Sequence, residues 1–203
     1  MNHQPRRFSL FLCFLFCLLL LAGCASNRLV SSWSDPAAGT VQGDVLVVAV
    51  THQDTVRRLF EDSYVTLLQG EGLTAVPGYT VTEGGKPVSY DDVIAAIGLT
   101  GSKALLVTRL SDVSVKTFEQ LATGRKYDTL DVLEADPIFF NPVLKQSTTN
   151  TTRMKLVSWL YDVQSGKLLW SAVTESKDPV MTRDYINKLV RMIVADMKKK
   201  QLM

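Results

Sequence analysis

Apolar residues along this chain fall into runs whose period changes, and the period names the element. Asp44-Val-Leu-Val-Val-Ala-Val50 is a continuous β-branched run bounded by Gly43 and polar residues, the pattern of a strand covered on both faces. Over residues 55–69 the spacing becomes helical: Val56, Leu59, Phe60, Tyr64, Leu67 and Leu68 share one stripe. The i,i+4 pairs Arg57/Glu61 and Arg58/Asp62 then fall on the opposite, solvent face. Asp54 is the expected N-cap of this helix and Gly70 its stop. Residues 73–79 make a short second strand in which Pro77-Gly78 predicts a bend or an edge position. After the turn-rich residues 82–87, Ser89-Tyr-Asp-Asp92 reads as a capping box opening a helix through Val93, Ile94 and Ile97, which stops at Gly98 or Gly101.

A third strand spans residues 103–115, apolar through Ala104-Leu-Leu-Val107 and alternating afterwards. Residues 116–150 break the pattern as a long insert containing Gly124, Asp136-Pro137 and Asn141-Pro142. Residues 151–161 and 168–174 form two strands joined around Gln164-Ser-Gly166, an antiparallel hairpin. Residues 183–201 close the chain as a helix with Thr182 as N-cap, an apolar stripe of Ile186, Leu189, Val190, Ile193 and Met197, and Lys198 to Lys200 at the negative end of its dipole. The expectation is one α/β domain over residues 44–203, in two or three layers around a mixed sheet, with order β-α-β-α-β-β-β-α.

The amino-terminal pattern is of another kind. Arg6-Arg7 precedes an apolar run over residues 8–20 and then Leu21-Ala-Gly-Cys24. A cationic start, a short apolar core and small residues before a cleavage point form a signal peptide, residues 1–23, and the core is shorter than the roughly 20 residues of a spanning helix. Cysteine directly after Leu-Ala-Gly makes it a lipoprotein signal, so Cys24 is the expected lipidation site, and acyl chains there tether the protein to a membrane. Ala25 and Ser26 lack the aspartate of an inner-membrane retention signal, so the expected address is the outer membrane with the domain on its periplasmic face. Residues 24–43, rich in Ser, Ala, Gly and Asn, are read as a linker, with Trp33 expected to pack on its own domain.

Loss of the leader changes the charge. Arg6 and Arg7 account for two of the 22 basic residues, leaving 20 against 20 acidic ones, so no basic surplus argues for nucleic acid. Cys13 and Cys17 also leave, so the mature domain has no free thiol and no disulfide, and a hydrophobic core has to stabilise it alone.

Several segments together carry a resemblance: Trp33-Ser-Asp-Pro36, Val45-Leu-Val-Val-Ala-Val-Thr51, Arg57-Arg-Leu-Phe-Glu61, Ala75-Val-Pro-Gly-Tyr79, Ala104-Leu-Leu-Val-Thr-Arg-Leu110 and Tyr161-Asp-Val-Gln-Ser-Gly-Lys-Leu-Leu-Trp-Ser171. In this order they resemble a family of uncharacterised Gram-negative outer-membrane lipoproteins. The element order also looks like the small α/β domains of the TolB amino-terminal domain and of the lipoprotein activators of cell-wall synthases. That resemblance implies an envelope setting and transfers no activity.

Candidate chemistry is sparse. There is no Gly-x-Ser-x-Gly elbow, and His52 is the one histidine outside the leader, so neither acyl-transfer catalysis nor a zinc site has its residues. Gly84-Gly-Lys86 lacks the spacing of a phosphate loop, and the acidic residues Asp128, Asp131, Glu134 and Asp136 do not match a calcium loop. No enzyme activity, cofactor or metal is expected. Thr51, His52 and Asp54 stand just past the first strand, where open α/β sheets form a ligand crevice. Ile138, Phe139 and Phe140, framed by prolines, are the candidate surface for an envelope protein partner. Trp159, Tyr161 and Trp170 occupy facing hairpin positions and are expected to pair across the strands. The leading expectation is a non-enzymatic, lipid-anchored periplasmic adaptor or accessory protein of the cell envelope. The alternative is a small-ligand or peptide binder at the crevice.

Overall fold

All six residues of Val45–Val50 are buried, as a covered strand requires. This strand, β2, lies inside a six-stranded sheet of order β1-β6-β5-β4-β2-β3 in a computed structural model that describes residues 27–86, 88–111, 128–130, 133–134, 153–177 and 179–203. The elements are β1 (Asn27–Ser34), β2 (Val45–Val50), α1 (Asp54–Gly70), β3 (Ala75–Pro77), α2 (Tyr90–Thr100), β4 (Ala104–Ser111), β5 (Arg153–Asp162), β6 (Leu168–Lys177) and α3 (Arg183–Lys199). β2 runs parallel to β3 and β4, while β4, β5, β6 and β1 pair antiparallel. The chain is a single α/β domain with a mixed sheet, as its periodicity implied.

Alternation along the strands makes two cores, one on each face. Val45, Val47, Ala49, Leu106, Leu160 and Trp170 meet the apolar stripes of α1 and α3. Leu46, Val48, Leu105, Val107, Trp159 and Tyr161 meet Val93 and Ala96 of α2 together with Leu130 and Leu133. The result is three layers. Within the first core, Tyr64, Thr108 and Ser158 close a triangle of hydroxyls at 2.8–3.1 Å, so three polar groups are buried with partners. Burial pushes the Tyr64 hydroxyl up to about 12.

Local signals hold where capping chemistry is involved. Ser89 and Asp92 form the reciprocal capping box of α2, and Gly101 ends the helix in the left-handed conformation with φ of 65°. The Thr182 hydroxyl accepts from Tyr185 N–H at the start of α3. The insert is partly described: Leu168 N–H donates to Asp128 O and Leu130 N–H to Gly166 O, both at 2.9 Å, which straps part of it to the β5–β6 hairpin.

Four expectations need correction. Residues 24–43 are not a linker throughout, because Asn27–Ser34 is an eight-residue edge strand on β6, and Val41 is buried with its N–H bonded to Leu202 O. The added strand also puts a β at the head of the element order. Asp54 is the first residue of α1 and not its cap; the cap position belongs to Gln53, which makes no side-chain capping bond. Arg57 and Glu61 are buried, not solvated, since α1 packs over a wider arc than its apolar residues mark. Trp170 does not pair with Trp159 and Tyr161, because strand alternation and an irregularity after Leu160 put them on opposite faces of the sheet. Trp33 packs against the second core, as expected of a lone tryptophan.

Candidate functional site

The first strand ends where the crevice was expected. Thr51 is half-buried, and its hydroxyl accepts from Gln53 N–H at 3.3 Å; His52 and Asp54 are exposed. The Asp54 carboxylate accepts from Gly85 N–H at 3.0 Å, tying the loop before α2 to the start of α1. The three residues follow one another at the end of β2, and a buried ion pair lies next to them.

Behind them is the buried pair Arg57–Glu61, with Nε to Oε1 at 2.9 Å. Glu61 Oε1 also accepts from Ala49 N–H in β2 at 3.0 Å, and Oε2 accepts from Tyr79 N–H just past β3 at 2.7 Å. Arg57 Nη2 donates to the Thr82 hydroxyl at 2.7 Å, and that hydroxyl donates to Gly78 O at 3.0 Å. A Cβ on Gly78 would stand 3.0 Å from Val47 O and 3.1 Å from a Val48 methyl, so the network closes only over glycine. Outside it, the Tyr79 hydroxyl donates to Asp62 at 2.7 Å and the Arg58 guanidinium lies 4.6 Å from the Tyr79 ring centre.

Electrostatically, the carboxylate is an internal anion. Burial pushes the Glu61 carboxyl above its ordinary value, against the opposing pull of Arg57 and of the Ala49 and Tyr79 amides. Tyr79 is also raised, first by its bond to Asp62. Backbone amides at strand ends are the donors that an anionic ligand uses in an open α/β sheet. Here Glu61 takes two of them, so this end of the sheet is a braced joint.

A cleft of about 580 Å³ lies at the other end of the sheet, lined by Asp35, Gly43, Lys103, Asp162, Ser165 and Lys167 among others. That volume suits a small ligand or a peptide end. Sequence reasoning missed it because residues 35–43, one of its walls, were assigned to a linker. Cys24, Ile138, Phe139 and Phe140 lie outside the described residues. Among the described residues, no group of three His, Cys, Asp or Glu could hold a metal, and no helix is long and apolar enough to cross a membrane.

No protein-family model matches the chain. No curated protein matches it. Among solved structures it is similar to the PelC dodecamer from Paraburkholderia phytofirmans, at 11% identity, covering 84% of this chain and 96% of that one with a TM-score of 0.45. A point variant of the same PelC gives 12% identity, the same coverages and a TM-score of 0.43. The lipoprotein GNA1162 from Neisseria meningitidis gives 14% identity, 78% and 99% coverage and a TM-score of 0.39. At these values the likenesses bear on neither activity nor partner.

Proposed function

We propose that this chain is a lipid-anchored accessory or adaptor protein of the bacterial cell envelope, held at the outer membrane by acyl chains on Cys24, facing the periplasm and performing no catalysis. The observation that carries the reading is the complete Arg6-Arg7, apolar core and Leu21-Ala-Gly-Cys24 pattern directly ahead of a folded domain. One acyl chain binds marginally and two or more hold essentially permanently, so the lipid confines the domain while its surface does the work. The crevice alternative at Thr51, His52 and Asp54 has less support, because Glu61 already occupies the amides behind it.

The test is Cys24→Ser in cells fed labelled palmitate. Label incorporation is expected to vanish and the chain to leave the membrane fraction; normal maturation with unchanged membrane association overturns the reading. Crosslinking of the native lipoprotein in intact cells then identifies neighbours, and a Phe139→Ser, Phe140→Ser variant is expected to lose them if that segment is the partner surface.

A further inference from the structure

The anchor proposed above, if attached as read, constrains orientation as well as address. Only Ala25 and Ser26 separate Cys24 from Asn27, the first residue of β1. At roughly 3.3–3.6 Å per residue, the acylated residue is within about 10 Å of that strand's start. The ten residues of β6 span about 33 Å. A tether so much shorter than the sheet keeps one corner of the domain at the bilayer, whichever way it bends.

That corner is built by the start of β1, the end of β6 and the first turn of α3. Asn27 stands opposite Ser176 in register, and the chain passes from Lys177 to Arg183 beside it. Lys177, Arg183 and Asp184 are exposed, and Arg28, although paired with the buried Glu175, keeps its side chain 65% exposed; the sequence adds Asp178 directly after Lys177, so three cations face three carboxylates and the corner has no net charge. Between Lys177 and Arg183, Val180 is 67% exposed, one of three large hydrophobic side chains so placed among the described residues. Met181 beside it packs on the core and holds the loop. Of the three helices that begin at this end of the sheet, α3 alone begins beside the corner and directs the positive end of its dipole toward it; α1 and α2 begin against β2, across three intervening strands. An exposed apolar residue among balanced charges matches a phospholipid surface of mixed headgroup charge, with the valine at the acyl boundary and the long cationic side chains among phosphates.

We propose that the β1–β6–α3 corner, with Val180 at its tip and Lys177 and Arg183 on its flanks, is a membrane-contact surface resting on the phospholipid leaflet that holds the anchor. The cleft beside Lys103 and Lys167 then points away from the bilayer, into the aqueous compartment, where a partner reaches it. This rests on the lipid-anchor reading, and its test separates the two.

The mature chain has no cysteine besides Cys24, so Val180→Cys and Gln164→Cys each give one labelling site in the full acylated protein. Both positions are exposed. Each variant, carrying a bimane fluorophore, is bound to vesicles of phosphatidylethanolamine and phosphatidylglycerol and recovered by flotation, with the acyl mass checked on the intact chain. Spin-labelled lipid is expected to quench the fluorophore at position 180 and not at 164, and a water-soluble maleimide to react several-fold faster at 164. Reversing charge with Lys177→Glu and Arg183→Glu is expected to weaken quenching at 180. Equal quenching at both sites, quenching at neither, or the reverse pattern in floated, acylated protein overturns the surface while the anchor stands. A chain without acyl mass overturns the anchor, and the contrast between the two positions in any membrane-bound material still decides the surface.

Discussion

Glu61 closes the carboxyl end of the parallel strands, and its stability depends on a single counter-charge. Desolvation raises its folded-state pKa, so the folded protein binds the proton more readily than the unfolded chain. The stability it contributes is complete below the ordinary carboxyl value of 4.5 and falls as pH rises through the raised one. Arg57 is the largest influence limiting that rise. Arg57→Met is therefore expected to cost about 3–5 kcal/mol near neutral pH, because it leaves a buried carboxylate unpaired. The deficit should be smaller near pH ~5 than near pH ~8, since Glu61 without its partner neutralises more readily. Urea unfolding at the two pH values checks this, and adding Glu61→Gln should flatten the pH dependence. An equal deficit at both values would mean that Arg57 contributes packing alone.

Elements differ in how plainly their residues announce them. β2 was legible because its six consecutive apolar residues are rich in valine and too few for a buried helix, and α2 because its capping box and its left-handed glycine are local chemistry. β1 was not legible: Asn27-Arg-Leu-Val-Ser-Ser-Trp-Ser34 is short and serine-rich, and its strand conformation comes from pairing with β6, a contact some 140 residues away in sequence. The Arg57–Glu61 brace was misplaced by a general rule about charge, although a signal existed: positions 57, 61, 64 and 68 form an i, i+4, i+7, i+11 line with buried Tyr64 and Leu68. The cleft depended on misread residues 35–43 and could not have been found without them. β1 is also locked from the helix side, where Asp196 of α3 accepts from Trp170 Nε1 at 3.0 Å and from the Ser32 hydroxyl at 3.2 Å. Asp196→Ala leaves a fully buried indole N–H without that acceptor, and a loss of about 1–3 kcal/mol is expected in denaturant unfolding, with Asp196→Asn losing less. An alanine variant as stable as the parent would assign the docking of α3 to its apolar stripe alone.

At the scale of the whole molecule, the two ends of the sheet have different tasks. The end where the helices begin carries the Glu61 brace and the corner from which the proposed anchor extends; the opposite end carries the cleft. The orientation proposed for these two ends depends on a tether too short to let the domain turn over. Inserting a flexible Gly/Ser segment of n residues between Ser26 and Asn27 adds a reach of about 5–6 Å × √n, so about a dozen residues would add roughly 20 Å. Flotation should be unchanged because the lipid is untouched, and unfolding stability should be unchanged because β1 still pairs with β6. The contrast between labels at positions 180 and 164 should shrink, since a corner carrying one exposed valine and balanced charges has limited affinity once the anchor no longer holds it down. A contrast that survives insertion would move the cause of orientation from the tether to the corner itself. Its collapse in a fully floated protein would show that the spacing between the acylated residue and the first strand, a feature carried by only Ala25 and Ser26, sets which face the domain presents to its partners.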